Sequence, residues 1–421
     1  MSNAQMMNVF IIAAAFIITY ALYIYSNYKT AGQLLRLIYH GIFAFSVLLF
    51  VFMFFRAVEP KDWDYTCFYL IGKVAQSGLN IYNPDHYYVV LADANIPIEL
   101  GAGFKTEFLV TGSLYPPPTT FLFLPLGYMT YMQGLYFFYG LILLAFIGCI
   151  YQVKKIFFQN TDFKGWELVA ILLMLTGTFY SVINYAQTLI FLLFFFLLIY
   201  GNKEKPMAGV YLAISIFIKP FAVVFFFYFL IKKKWSVIAS FIASTAVLLI
   251  LSLVVFGYQP FYEYIFNNPS HRVPDVVFNE VTNQSLLAIL TRVLNNAPVT
   301  RIVYYLLSFV MVLISGIMIL RLNKDKKYDL IFPLLLSVGL LIYPNTLYHY
   351  AVVHILSFLI ICKYIQNTRL LYAFTFCFFI SLWGRIFYVN LFLFAVMALL
   401  AFEERIKPAI LTNRLLKPLA S

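Results

Sequence analysis

Charge is scarce in this sequence of 421 residues: Asp, Glu, Lys and Arg make up 11% of it, against 63% hydrophobic and 20% aromatic residues. So little polar material cannot cover a globule with hydrated surface. A soluble domain is excluded, and a polytopic helical membrane protein is left. Cysteine is sparse too. Three of the four, Cys149, Cys362 and Cys377, lie in apolar runs and only Cys67 in a polar interval, so there is no disulfide framework and no metal-binding spacing. The first apolar run, Val9–Tyr25, lacks a basic leader and a small-residue cleavage site. It is expected to be a retained helix, with a signal peptide as the alternative. Neither a fixed-period repeat nor the half-to-half symmetry of many transporters is visible.

The formal charge of +12 would point to nucleic acid in a soluble protein. Here the basic residues fall in short clusters between apolar runs, and membrane orientation explains them without a nucleic-acid partner. Lys154, Lys155 and Lys164, then Lys203 and Lys205, Lys232 to Lys234, Arg321 to Lys327, Lys363 and Arg369, and the tail from Arg405 all fall on one side, the cytoplasmic one. At about 20 residues per crossing the chain has room for about 11–13 transmembrane helices in a single integral membrane domain over residues 1–421. Residues 57–130 then form a long first outer loop with interfacial helices, and residues 257–299 a second. In the first, Lys61, Lys73 and Lys105 are outnumbered by Glu59, Asp62, Asp64, Asp85, Asp93, Glu99 and Glu107, as a non-cytoplasmic loop allows.

One pair of apolar runs is unusual. Met207–Ile218 and Phe221–Ile231 are each about 18 Å of helix, short of an approximately 30 Å hydrocarbon core. They meet at Lys219-Pro220, and both outer ends carry lysines. The pattern predicts a hairpin rooted in the cytoplasm with the Lys219 amine at its buried tip. An intramembrane lysine is costly unless it faces a partner or water. The phosphate of a lipid-linked substrate would suit its point charge; an internal salt bridge or snorkelling is the competing reading.

The other candidates lie on the outer side. The stretch Glu59–Tyr82, EPKDWDYTCFYLIGKVAQSGLNIY, places Asp62 and Asp64 just past the expected bilayer surface, ahead of an aromatic amphipathic segment, Tyr65–Gln76. A carboxylate beside a partly desolvated site can take the proton of an acceptor hydroxyl as a glycosidic bond forms, so Asp64 is the candidate catalytic base of a sugar transferase. Capping of Tyr65–Gln76 is the competing role, and Asp62 is the fallback base. His349, beside Tyr350 at an outer helix start, can hydrogen-bond a sugar or a phosphate, or pack at the interface. Asn184, Gln187, Asn283 and Gln284 carry the paired donors and acceptors that sugars use, although capping and interhelical bonding also employ them. Tyr65, Phe68, Tyr69 and Tyr82 can stack on a sugar ring or a lipid tail, or form an aromatic belt. His271 and Arg272 are exposed candidates without a specific signal.

In this order the segments Asp64-Tyr-Thr-Cys-Phe-Tyr69 with Gly78 and Tyr82, Tyr115-Pro-Pro117 with Pro125-Leu126, Gln187, Gly209 with Ile218-Lys-Pro-Phe221, Asn283-Gln-Ser-Leu286, and Pro344 with His349-Tyr350 resemble glycosyltransferase family 87 of the GT-C superfamily. The resemblance spans roughly Lys61 to Ile355. It implies a GT-C-type fold, an outward-facing site, a polyprenyl-phosphate sugar donor and inverting single displacement without a required metal or other cofactor. It points to Asp64 as base and to His349 as a site residue. The segment Asp85–Ser113 and the first helix depart from the family pattern.

The expected activity is transfer of one sugar, mannose in this reading, from a polyprenyl-phosphate carrier to a lipid or glycan hydroxyl at the outer face of the inner (plasma) membrane. Lys219 and His349 would bind the donor phosphate. Asp62, Tyr69, Tyr82, Gln187, Asn283, Gln284 and Tyr350 would contact substrate. A lipid or sugar transporter is the alternative, and would place its site near mid-membrane between structural repeats. A polymerase or ligase using a lipid-pyrophosphate donor would carry more arginine in its outer loops.

Overall fold

The computed structural model describes residues 3–60, 64–97, 109, 111–159, 163–267, 282–383 and 386–402. Among them there is no strand, and helices follow one another with short breaks. They are α1 (Asn3–Ser26), α2 (Gln33–Ala57), α3 (Asp64–Gln76), α4 (Pro84–Asp93), α5 (Thr120–Gly127), α6 (Tyr131–Phe157), α7 (Phe163–Met174), α8 (Gly177–Asn184), α9 (Leu189–Gly201) and α10 (Met207–Ile218). The series continues with α11 (Val224–Ile231), α12 (Trp235–Phe256), α13 (Gln259–Phe266), α14 (Leu286–Leu294), α15 (Ala297–Lys324), α16 (Ile331–Ile342), α17 (His354–Cys362), α18 (Thr368–Trp383) and α19 (Ile386–Phe402). The breaks follow local chemistry. Asn83, Ser285 and Asn296 cap the helices they precede with their side chains. Gly257, at φ 77°, ends α12 in a conformation that only glycine takes readily.

Among the described residues four helices are long and apolar enough to cross a membrane: Gln33–Ala57, Tyr131–Phe157, Trp235–Phe256 and Ala297–Lys324. A fifth apolar stretch is bent, as in a broken span or a re-entrant loop. The sequence reads Trp166–Val182 as one span, but Lys164–Met174 and Gly177–Asn184 meet at 65°. The Thr176 hydroxyl donates to the Leu172 carbonyl at the bend and Gly177 follows it, so the ladder is interrupted where a side chain competes for it. Shorter apolar helices of 10–17 residues accompany these; the expected tally of about 11–13 crossings includes them. The chain is an all-helical, multi-pass membrane protein.

It folds as two compact units. Met1–Met53, Phe146–Ser181 and Phe278–Ser421 make up the first, Phe54–Ala145 and Val182–Val277 the second. The described residues of the expected outer loop 57–130 lie in the second, whereas those of 257–299 are divided between the two.

In the first unit α1 packs on α18 and α7, and α16 on α17 and α19. The buried face of α1 carries Ala14, Ala15, Ile18, Ala21 and Leu22, a helical spacing of mostly small residues that lets backbones approach. In the second unit α3 packs along α5. Here Gly72 faces Gly127 so closely that a Cβ on either would run into the backbone of the other helix, and Phe68 stacks on Phe123 at 4.6 Å.

The same unit contains the expected hairpin. α10 runs up beside α12, with Gly209 against the backbone of Val237 and Phe241. At its end Lys219 is extended (φ −149°, ψ 120°), and a 3-10 turn, Pro220–Val223, turns the chain into α11. α11 returns to the lysines at the base, where the Lys234 ammonium pairs with the Glu204 carboxylate ahead of α10. Both arms therefore start and finish together, and Lys219 is at the far end.

Gly127→Val should lower stability by about 1–3 kcal/mol through overpacking against Gly72. Thermal unfolding in detergent is the measurement, with Gly140→Ala, which has open space around it, as a substitution expected to cost nothing.

Candidate functional site

Helix α3 carries the candidate base. The helix begins at Asp64, so this partly buried carboxylate lies in the first turn, where the free amides and the helix dipole favour a negative charge. The other end is closed by glycine: Gly78 has φ 70°, its N–H reaches the Ala75 carbonyl, and the Leu79 N–H reaches Val74. Between the ends Tyr65, Thr66, Phe68 and Tyr69 are buried. Tyr65 donates to the Tyr131 carbonyl at 2.9 Å, Thr66 shares a hydrogen bond with the Tyr131 hydroxyl at 3.0 Å, and Tyr69 donates to the Met129 carbonyl at 3.2 Å. These aromatics hold α3 in place; Tyr69 spends its hydroxyl on the backbone.

Phe68 lies one turn after Asp64, about 6 Å along the axis. Its ring meets Tyr115 edge-on at 5.9 Å. Tyr115 is the link to the hairpin tip: the Lys219 Nζ donates to its hydroxyl at 3.2 Å and stands 5.0 Å from the centre of its ring. One tyrosine thus offers the amine both an oxygen and a π face. The turn that follows, Pro117–Thr119, is tied to the same tip, since Thr119 donates to the Phe217 carbonyl. Tyr82 completes the cluster by donating to the Tyr115 carbonyl at 2.6 Å. Burial pushes the Tyr82 hydroxyl well above its ordinary value, so it stays protonated and keeps donating.

The structure therefore brings Asp64, Tyr69, Tyr82 and Lys219 into one unit, in which Phe68, Tyr82 and Lys219 each meet Tyr115. Gln187 belongs to the same unit. It is buried and its Oε1 has no hydrogen-bond partner among the described residues. Asp62, His271 and Arg272 lie outside the described residues.

The remaining candidates belong to the first unit, where two distant segments pair. Asn283 and Leu347 form an isolated antiparallel bridge, flanked by Gln284 N–H to Thr346 carbonyl at 2.8 Å and Tyr348 N–H to Thr282 carbonyl at 3.3 Å. Asn283 spends its side chain internally, donating to Pro344 at 3.3 Å and accepting from Ser285 N–H at 3.2 Å. Ser285 caps α14 and also donates to the Pro344 carbonyl at 2.7 Å. Gln284 is buried with its Oε1 unpartnered among the described residues. His349 and Tyr350 are buried too, with ring centroids 5.3 Å apart, in a 3-10 segment, Tyr348–Val353.

Two groups escaped sequence reasoning. Tyr115 is quoted in the family-like motif, but only the fold shows it touching Lys219. A polar cavity lined by Asn80, Asn83, His86, Gln259, Glu263 and Asn267 was missed altogether. Its signal was present: Gln259, Glu263 and Asn267 recur every fourth residue and so share one helix face.

The sequence pattern of glycosyltransferase family 87 matches residues 114–344, more than half of the chain. A multi-pass helical protein with that match is a membrane glycosyltransferase. The chain belongs to glycosyltransferase family 87. The matched stretch includes Tyr115, Gln187, Lys219, Asn283 and Gln284 and leaves out Asp64, Tyr69, Tyr82, His349 and Tyr350. No curated protein and no solved structure matches the chain.

Ser285→Ala removes a helix cap and the tie to Pro344. It should lower stability by about 0.5–2 kcal/mol, read as a fall in Tm of the detergent-purified chain.

Proposed function

We propose that the chain transfers a single sugar, mannose in the first instance, from a polyprenyl-phosphate carrier to a hydroxyl acceptor at the non-cytoplasmic face of the inner (plasma) membrane. The acceptor oxygen attacks the anomeric carbon from the side opposite the phosphate. The new C–O bond forms as the bond to the phosphate oxygen breaks, its electron pair leaves with the polyprenyl phosphate, and the configuration inverts. Asp64 takes the proton that the acceptor hydroxyl loses and later passes it to water. Lys219 offsets the charge that develops on the departing phosphate, so the reaction needs no metal.

What supports the reading is the packing between helix α3, which begins at Asp64, and the tyrosine that meets Lys219. Phe68, one helical turn after Asp64, meets Tyr115, and Tyr115 accepts the hydrogen bond of the amine at the hairpin tip, all within one compact unit. The amine belongs to the stretch that matches the family. Tyr115 offers Lys219 a hydrogen bond and a ring face, and the phosphate of the donor would meet the ammonium through charge-assisted hydrogen bonds. The arrangement is consistent with membership of the GT-C superfamily.

Asp64→Asn should reduce transfer from a polyprenyl-phosphate mannose by roughly 100-fold to 10,000-fold, the usual contribution of a general base. The variant should stay folded, since its amide keeps the size of the carboxylate; transfer at the wild-type rate would sink the assignment. Lys219→Met should depress kcat more than it raises the donor KM, because the charge it meets is larger in the transition state, and Lys219→Arg should recover part of the loss. The assay is release of polyprenyl phosphate from purified protein in detergent or nanodiscs.

A further inference from the structure

The direction of the Lys219–Tyr115 hydrogen bond is fixed by chemistry. An ammonium carries three donor hydrogens and no lone pair, so in the 3.2 Å contact Nζ gives and the Tyr115 oxygen takes. The hydrogen of the hydroxyl itself then points elsewhere. We infer that it is given to the donor phosphate, so that Tyr115 is a further catalytic residue, hydrogen-bonding the departing phosphate beside Lys219. This role rests on the transferase reading above and adds a second group to the site of that phosphate.

Distance favours a shared anion. A charge-assisted hydrogen bond places a phosphate oxygen about 2.8 Å from an ammonium nitrogen, and the tyrosine oxygen stands 3.2 Å from the same nitrogen. One phosphate can therefore receive both donors. Both residues are half-buried, so each retains surface that a ligand can reach.

Tyr115 is held more firmly than a lysine can be. Its N–H donates to Ser113 Oγ at 3.2 Å, and its carbonyl accepts from the Tyr82 hydroxyl at 2.6 Å. Phe68 and Phe123 stack on each other at 4.6 Å, and both meet the Tyr115 ring steeply, at 72° and 75° with centroids 5.9 and 5.5 Å away. Pro116, Pro117 and Pro118 follow and restrict the backbone. Ring and backbone are thus set before a substrate arrives, and the hydroxyl turns only about its own C–O bond. Donors placed in advance stabilise charge that develops in a transition state without first reorganising. Lys219, on a flexible four-carbon stem, gains a fixed neighbour. As the bond from the anomeric carbon to the phosphate oxygen breaks, the phosphate passes from one negative charge towards two, and both hydrogen bonds strengthen. The tyrosine keeps its proton, because a phenol is a weaker acid than a phosphate monoester.

The test uses the full chain in nanodiscs, with farnesyl phosphate as a short polyprenyl monophosphate and farnesol as its neutral counterpart. Tyr115→Phe keeps the ring, its packing and its face towards the ammonium, and removes one hydroxyl. It should weaken binding of farnesyl phosphate roughly 10-fold to 100-fold, as loss of a hydrogen bond to a charged group does, and leave farnesol binding as in the wild type. In transfer from polyprenyl-phosphate mannose, kcat should fall more than the donor KM rises. Lys219→Met separates donation from positioning. A tyrosine that only positions the lysine has nothing left to lose in that background, whereas one that donates to phosphate still costs roughly tenfold on removal. If adding Tyr115→Phe to Lys219→Met brings no further loss, or if Tyr115→Phe alone binds and transfers like the wild type, the role of Tyr115 is overturned while the transferase reading stands on its own assay. Absence of farnesyl phosphate binding by the wild type also overturns it. Binding that needs both residues, without transfer from any polyprenyl-phosphate sugar, supports the phosphate site and defeats the transferase reading instead.

Discussion

A single ammonium at the end of a hairpin governs how the second unit is built. Lys219 ends two helices too short to cross a bilayer, and the cost of placing a charge there requires a partner. Tyr115 provides it from a segment 104 residues earlier in the chain. That contact draws the Pro117–Thr119 turn to the hairpin, and with it α5, against which α3 packs through Gly72 and Gly127. The position of Asp64 follows from this sequence of contacts. The carboxylate is presented by a helix whose buried face has no freedom to slide, because each of its tyrosines is bonded to the loop or helix beneath it.

Apolar packing and polar pairing divide the work between them. Helix pairs approach through small residues, Ala14, Ala15 and Ala21 in α1 and the facing glycines of α3 and α5, since hydrocarbon offers no hydrophobic drive to bring helices together. The irregular segments are held by hydrogen bonds instead. Thr282–Ser285 pairs with Pro344–Tyr348 by backbone and side-chain bonds, and the Asn80–Asn83 turn is ordered by its own amides. Non-helical backbone in a membrane protein needs such internal satisfaction. It also fixes polar side chains in place, which is the condition for a site.

The candidate residues differ in what the fold asks of them. Asn283 uses its side chain in joining two segments, and Tyr69 anchors α3. Gln187 and Gln284 are buried with a side-chain oxygen lacking a partner among the described residues, a state that a ligand or water would relieve. Tyr82 is shared, since it braces Tyr115 and also walls the cavity beside His86. A membrane glycosyltransferase must bring a sugar donor and an acceptor together, and Tyr82 joins the neighbourhood of Lys219 to that of His86.

Much of this was legible in the amino-acid order alone. Apolar run lengths and lysine clusters determined the helical class, the membrane setting and the hairpin about Lys219-Pro220, because these depend on local hydropathy and on the helical rise per residue. The start of α3 at Asp64 and its end at Gly78 were also local matters of capping and backbone freedom. Partnership was not. The meeting of Tyr115 with Lys219, of Thr282–Ser285 with Pro344–Tyr348, and of His86 with the Glu263 face of α13 joins residues far apart in the chain. Such contacts are chosen by how helices pack, and short-range periodicity carries no record of that choice.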